Sequence, residues 1–254
     1  MVRRAVPFVG LRHFVELLTG DRDFLISFKN TIAFAVLTTL IVLLLAFFIT
    51  VLMDRRRIVG VGLLQSAMFL PFVVSVVPSA IIWKWMYDPQ YGIFNYLLSF
   101  FGIRTVGWLT DHRFAMFAIV LFYVWRWLGY YMVIFWVGLK GIPGLYVEAA
   151  RADGASDWKI TTRILLPLLR PIVLFSLVIA TINGFTIFSE VYVMTVGNQA
   201  APGNMVKTLT YDIYERAFVY FKVGQGNAEA MILFLIVIML SILQIKLVRK
   251  GELY

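Results

Sequence analysis

Five long apolar stretches constrain this chain more than anything else in it. They run over Thr31–Leu52, Leu63–Tyr87, Phe114–Val137, Ile172–Val196 and Ala228–Leu247. A helix rises about 1.5 Å per residue, so about 20 residues cross the ~30 Å hydrocarbon core of a bilayer. Each stretch is long enough. Of the 254 residues, 61% are apolar and 15% charged, whereas a soluble domain carries about 25% charge. Such a chain can bury a core but cannot cover it with polar groups; a bilayer removes that need. The reading is all-α: a polytopic membrane helix bundle with five transmembrane helices.

Charge then orients the bundle. The segments following the first, third and fifth stretches hold eleven Lys and Arg, among them Arg55, Arg56, Arg57, Lys140, Arg151, Lys159, Arg163 and Arg170. The opposite side holds five: Arg104, Arg113, Lys207, Arg216 and Lys222. Basic loops stay in the cytoplasm, so the first side is cytoplasmic. The net charge of +9 reads as topology and contact with lipid, with no nucleic-acid partner. Five spans place the N-terminus outside, together with Arg3, Arg4, Arg12, Arg22 and Lys29. A basic segment of that kind is hard to translocate unaided, which predicts a sixth helix ahead of Met1. Residues 1–28 are then an external segment, 29–249 the membrane domain and 250–254 a cytoplasmic tail.

Several chemistries have no footing. There is no Gly-rich phosphate loop of the G-x-x-x-x-G-K-[ST] kind, hence no ATP site in the chain, and no cysteine. The two histidines, His13 and His112, fall in outer segments without a metal-ligand or nucleophile–base pattern. Trp83, Trp85, Tyr87 and Trp108 lie near stretch ends, as expected of an aromatic belt at the headgroups. Tyr211, Tyr214, Phe218 and Phe221 have the spacing of a short interfacial helix.

The most polar long interruption on the cytoplasmic side is Glu148–Pro167, EAARADGASDWKITTRILLP. Pro143 suits a first helical turn, and Leu145–Ala152 reads as a short helix. Gly154 supplies a left-handed end. Ser156 can cap a second helix from Asp157 to about Leu166, with Trp158, Thr162 and Leu165 on one face. Pro167 is expected to stop it. Small residues permit close approach by another protein; an amphipathic connector lying on lipid is the plainer alternative.

The spacing Glu148-Ala149-Ala150, three residues, Gly154, nine residues, Ile164-x-Leu166-Pro167 resembles the EAA signature of ABC-importer membrane permeases. Trp125–Pro143, Ile182–Thr195 and Ile81–Leu98 resemble the carbohydrate-uptake branch of that family. The resemblance implies a type I importer membrane domain whose loop at about 140–170 is a coupling helix between the third and fourth spans. It implies a second permease subunit, two cytoplasmic ATPase subunits that bind ATP and Mg, and an external solute-binding protein. The chain itself would hold no cofactor and do no catalysis. Glu148, Ala149, Ala150, Gly154, Ile164, Leu166 and Pro167 would carry the ATPase contact, in a bacterial or archaeal plasma membrane. Members usually have six spans, and the segment from Phe8 resembles the one that succeeds their first span. They usually have a Gly-Gly-Pro turn where this chain reads GNQAAPG over Gly197–Gly203, a change expected to alter only an outer loop.

Polar residues inside the stretches are the candidate solute path, because lipid leaves such groups unsatisfied. Ser176, Asn183, Thr186 and Glu190 fall on one helical stripe, at i, i+7, i+10 and i+14. Tyr123, Arg126 and Tyr130 form another. Asn183 and Thr186 can hydrogen-bond a hydroxylated solute, and Tyr130 can stack on it; helix–helix contact is the alternative. Arg126, a cation midway through a span, needs a partner: Glu190, a second subunit or an acidic group on the solute. Glu229 and Lys84 read as residues reaching to the interface. The rival function is an ion-coupled secondary transporter or channel, which requires deep carboxylates and broken helices.

Overall fold

The computed structural model describes residues 9–55, 60–195 and 205–250. Among these the chain is helical, with no strand. A short helix α1 (Arg12–Gly20) leads into α2 (Arg22–Arg55). Then come α3 (Val61–Val73), α4 (Val76–Met86), α5 (Ile93–Ser99) and α6 (Ala115–Lys140). The inner loop holds α7 (Gly144–Ala152), α8 (Asp157–Ile160) and α9 (Leu166–Leu168). The fourth stretch gives α10 (Arg170–Phe185) and α11 (Ser189–Thr195), followed by α12 (Leu209–Tyr214) and α13 (Val223–Lys250). Arg56, Arg57, the Gly197–Gly203 turn and most of the 250–254 tail lie outside the described residues, as does the N-terminus up to residue 8.

Four helical runs are long and apolar enough to cross a membrane, or five if the bent pair α3–α4 is one span. Two expectations change. The stretch Leu63–Tyr87 is not one rod: α3 and α4 are bent by 97°. Pro71 lies inside α3, where it lacks the N–H a continuous ladder needs. Ser75, at ψ 138, takes the chain out of helix. The stretch Ile172–Val196 holds as one candidate span, Arg170–Thr195, in which residues 186–188 are non-helical between α10 and α11. The first span starts at Arg22, earlier than Thr31.

At the centre, α2 packs against α6 and α10, and α3 against α6. Phe34, Val42, Ala46, Ala118, Ile119, Phe122 and Phe135 are buried there. Threonines tolerate this setting because each hydroxyl donates to the carbonyl one turn back: Thr31 to Ser27, Thr38 to Phe34 and Thr50 to Ala46. By contrast, α13 has only 6% of its apolar window buried and shows an open face to lipid or another subunit. The aromatic belt is mostly core. Trp83, Tyr87, Phe94 and Trp108 pack ring against ring, and only Trp85, 72% exposed, points outward.

Candidate functional site

The inner loop grows from the end of α6. Pro143 stands at the N-cap of α7 with φ −59° and ψ 130°, a position where its missing N–H costs nothing. At the other end Gly154 adopts φ 73°, the left-handed region that penalises a Cβ. Its N–H donates to the Arg151 carbonyl (3.0 Å), and the Ala155 N–H to the Ala150 carbonyl (2.9 Å). This pair of reversed bonds is a Schellman ending. Ser156 then caps α8, accepting from the Lys159 N–H at 3.4 Å. Two short helices joined by a bend are therefore present, as the glycine and serine implied.

Pro167 does not stop the second helix. The chain widens into a π turn over Thr161–Leu165, and the Leu166 N–H reaches back five residues to the Thr161 carbonyl. That extra residue re-phases the ladder, so Pro167 enters at the start of α9 where no donor is required. Trp158, Thr162 and Leu165 do not share an equal face: Trp158 is exposed and stacks on Phe48 at 6.4 Å, whereas Leu165 is buried.

No residue of α7 is buried. Glu148 and Ala149 are exposed and Ala150 half-buried; Ile164 and Pro167 are half-buried and Leu166 exposed. A groove of about 320 Å³ runs beneath α7, lined by Asp54, Lys140, Glu148, Arg151 and Leu165. Its floor is fixed by the Lys140–Asp54 ion pair at 2.7 Å, which ties α6 to α2. The loop thus presents a low-profile helix with one carboxylate, continuous at both ends with membrane helices.

The path residues fall in three settings. Tyr130 and Asn183 are half-buried and Thr186 exposed. Tyr130 stacks on Phe72 with centroids 4.7 Å apart, and Asn183 neighbours the buried Tyr131 hydroxyl. Thr186 caps α10, its Oγ1 donating to the Ile182 carbonyl at 2.8 Å. Tyr123, only 2% exposed, is packed edge-on to Phe34 and faces no open space in this conformation. Glu190 is buried in the first turn of α11, on the far side of the break from Asn183. The expected stripe is therefore split, with Ser176 and Asn183 on α10 and Glu190 on another helix. Arg126 makes no ion pair with Glu190 among the described residues. Its Nη1 donates instead to the carbonyls of Pro71 (3.1 Å) and Val74 (2.5 Å). The gap between α10 and α11 is treated likewise: Thr208 and Thr210 both donate to the Ile187 carbonyl.

One constellation escaped the sequence reading. At the outer end Lys207 reaches Asp212 and Glu215, both at 2.6 Å. Arg216 reaches Asp21 at 2.7 Å, Asp212 at 2.9 Å and Glu229 at 3.0 Å. Burial opposes the Lys207 charge, but hydrogen bonds to Asp212 and Glu215 outweigh it and raise the pKa. The Arg216 guanidinium holds Asp21 below the usual carboxylate range. Glu229, expected at the interface, is fully buried. Its partners are supplied by α12 and the turn after it. The clue was a set of charges in outer segments otherwise rich in aromatics; spacing along the chain could not pair residues 195 apart.

Residues 59–250 match the family described as binding-protein-dependent transport system inner membrane component. The osmoprotective compounds uptake permease protein GgtC of Synechocystis is 33% identical over 98% of this chain and 88% of its own. The trehalose/maltose transport system permease protein MalF of Thermococcus litoralis is 31% identical over 96% of this chain and 80% of its own. A solved bacterial alginate ABC transporter, in complex with a periplasmic protein carrying an alginate pentasaccharide, shares the fold. Its matching chain gives a TM-score of 0.83 at 20% identity, over 93% of this chain and 81% of that one. This multi-pass plasma-membrane protein belongs to the binding-protein-dependent transport system inner membrane components, the permeases of ABC importers.

Proposed function

We propose that this permease moves a sugar or related polyhydroxylated solute into the cytoplasm. In this reading it pairs with a second permease subunit and receives solute from an external binding protein. Work comes from two cytoplasmic ATPase subunits, which hold the ATP and Mg. The observation that carries the reading is α7: a helix with no fully buried residue, its Glu148 and Ala149 exposed, ended by Gly154 and joined by a short turn to α6 and through α8 and α9 to α10. Val147 and Ala150 pack on the core, and the exposed remainder fits a cleft in a partner. Closing of an ATPase dimer would draw α7 inward and, through α6 and α10, tilt the bundle between inward- and outward-facing states. The named functions of the relatives favour osmoprotective compounds and sugars. Tyr130, Asn183 and Thr186 are the contacts we assign to the solute, through stacking and hydrogen bonds.

The test is uptake by proteoliposomes holding this chain with its partner subunits. Glu148→Ala and Gly154→Val are each expected to lower ATP-driven uptake at least tenfold and to weaken ATPase retention during purification. Intact uptake and assembly in both variants would remove the coupling role. A second reading, an ion-coupled carrier, draws on the bent α3–α4 span and on buried Glu190. It requires uptake with an ion gradient and no ATP.

A further inference from the structure

Arg126 is the cation that the solute path leaves unexplained. It lies on α6 three residues before Gly129, on the face turned to α3. A Cβ at Gly129 would come within 2.0 Å of the Met68 carbonyl oxygen and 2.7 Å of the Phe69 Cα. The two helices therefore touch backbone to backbone at this level. Tyr130 and Trp127 flank the same contact, at 4.7 and 5.1 Å from the Phe72 ring. Just beyond it α3 ends, and the 97° bend leaves the Pro71 and Val74 carbonyls outside any ladder. Irregular backbone at membrane depth must find partners within the protein. Both carbonyls point at Arg126 Nη1.

We propose that Arg126 is a positioning residue: its guanidinium holds the break between α3 and α4 open by donating to the Pro71 and Val74 carbonyls. The cation is retained for geometry. Both carbonyls converge on one guanidinium nitrogen, and a weakly hydrated, permanently charged donor suits such a partly buried place. Through the bend Arg126 acts on both neighbours, orienting the Phe72–Tyr130 stack and directing α4 against α11, with which it packs.

The chain has no cysteine, so a spin-label pair can report the bend directly. Leu63→Cys on α3 and Ile82→Cys on α4 are both at exposed positions, 80% and 54%. Nineteen residues of unbroken helix would separate them by about 29 Å, and the bend shortens that. The measurement is made on the assembled importer, its partner subunits freed of reactive cysteine. Arg126→Gln and Arg126→Met are expected to broaden the distance distribution and shift it towards the straight value. Arg126→Lys, which keeps a cationic donor, should fall between them and the parent. Uptake should follow the same order, with Lys retaining at least threefold more than Gln, while Arg113→Gln changes neither. If the Gln and Met variants fail to assemble, Arg126→Lys decides: a lengthened distribution supports the proposal and a superimposable one overturns it. Unmoved distances with uptake lost equally in Lys and Gln would also overturn it, since Arg126 would then act on the solute. The distance measurement is independent of the transport assignment; only the uptake arm rests on it.

Discussion

The two ends of the bundle are built in opposite ways. At the outer end, α1, α2, α12 and α13 meet around Lys207 and Arg216, whose side chains are 4% and 7% exposed and which together face Asp21, Asp212, Glu215 and Glu229. The Asn30 amide adds a bond to the Lys207 carbonyl at 3.0 Å, and Thr31 Oγ1 accepts the Leu209 N–H at 2.9 Å. At the inner end α7 has no fully buried residue, and its ion pair, Arg151–Asp157, is long at 3.9 Å and exposed. One end is knotted by buried ion pairs within the chain; at the other the ion pairs, Lys140–Asp54 and Arg151–Asp157, are exposed or half-exposed, and in the proposed function it is the end completed by another molecule. Substitutions should therefore sort by end: loss of stability outside, loss of transport with stability kept inside.

The largest expected effect tests the knot. Arg216→Met removes a cation that pairs with Asp21, Asp212 and Glu229 together. Breaking a buried pair from one side leaves charge uncompensated and costs roughly 3–5 kcal/mol. In detergent the Tm should fall by on the order of 10 °C. Glu148→Ala should leave Tm within about 2 °C. Equal shifts in the two variants would erase the distinction between the ends.

Next comes the one strained point of the inner loop. At φ 73° a β-branched side chain costs roughly 1–2 kcal/mol. Gly154→Val should thus show a modest Tm loss, together with the large transport loss assigned to a displaced α7. Gly154→Asn, better tolerated in the left-handed region, should recover stability and most of the uptake. No recovery would mean that the side chain itself, and not the turn, obstructs the partner.

These two ends were not equally legible. Gly154, Ser156 and Pro143 act on their own neighbours, so the inner bend could be read from residues a few positions apart. The knot could not, because Arg216 and Asp21 find each other only after α2 and α13 are packed. Hydropathy alone misled in a third way. It summed Leu63–Tyr87 as an unbroken span because a bend changes backbone direction and not composition. Pro71 was the residue that hinted at it. The non-helical gap inside Arg170–Thr195 has no proline, and its Ile187 carbonyl accepts from Thr208 and Thr210, which belong to another segment. Pro167 misled in reverse, since a π turn upstream removed the conflict it was expected to create.

Acid titration gives a finer probe of the knot. Asp21 has its folded pKa lowered by the Arg216 hydrogen bonds. Its contribution is complete above the ordinary aspartate value, about 3.9, and is lost as pH falls through the lower folded value. Lys207 runs the other way, with its pKa raised: its contribution is complete below the ordinary lysine value and lost as pH rises through the folded one. The Asp21 contribution should therefore fade on the acid limb of a Tm–pH curve and the Lys207 contribution on the alkaline limb. Asp21→Asn should flatten part of the acid limb and leave the alkaline limb alone. An unchanged acid limb would put that decline on other carboxylates.

The smallest effect is expected at Arg151–Asp157. Its side chains are 55% and 61% exposed and the contact is 3.9 Å, a geometry in which solvent screening and side-chain entropy leave about 0–1 kcal/mol. Arg151→Ala and Asp157→Ala should each move Tm by no more than about 2 °C, and the double variant should equal their sum. The pair nevertheless spans the bend between α7 and α8, beside the groove that holds Glu148. A double variant with parental Tm and lower uptake would show that this end tolerates weak internal bonding because its partner supplies the rest. A Tm loss on the scale of Arg216→Met would instead make the inner loop a second knot, and the contrast between the two ends would fail.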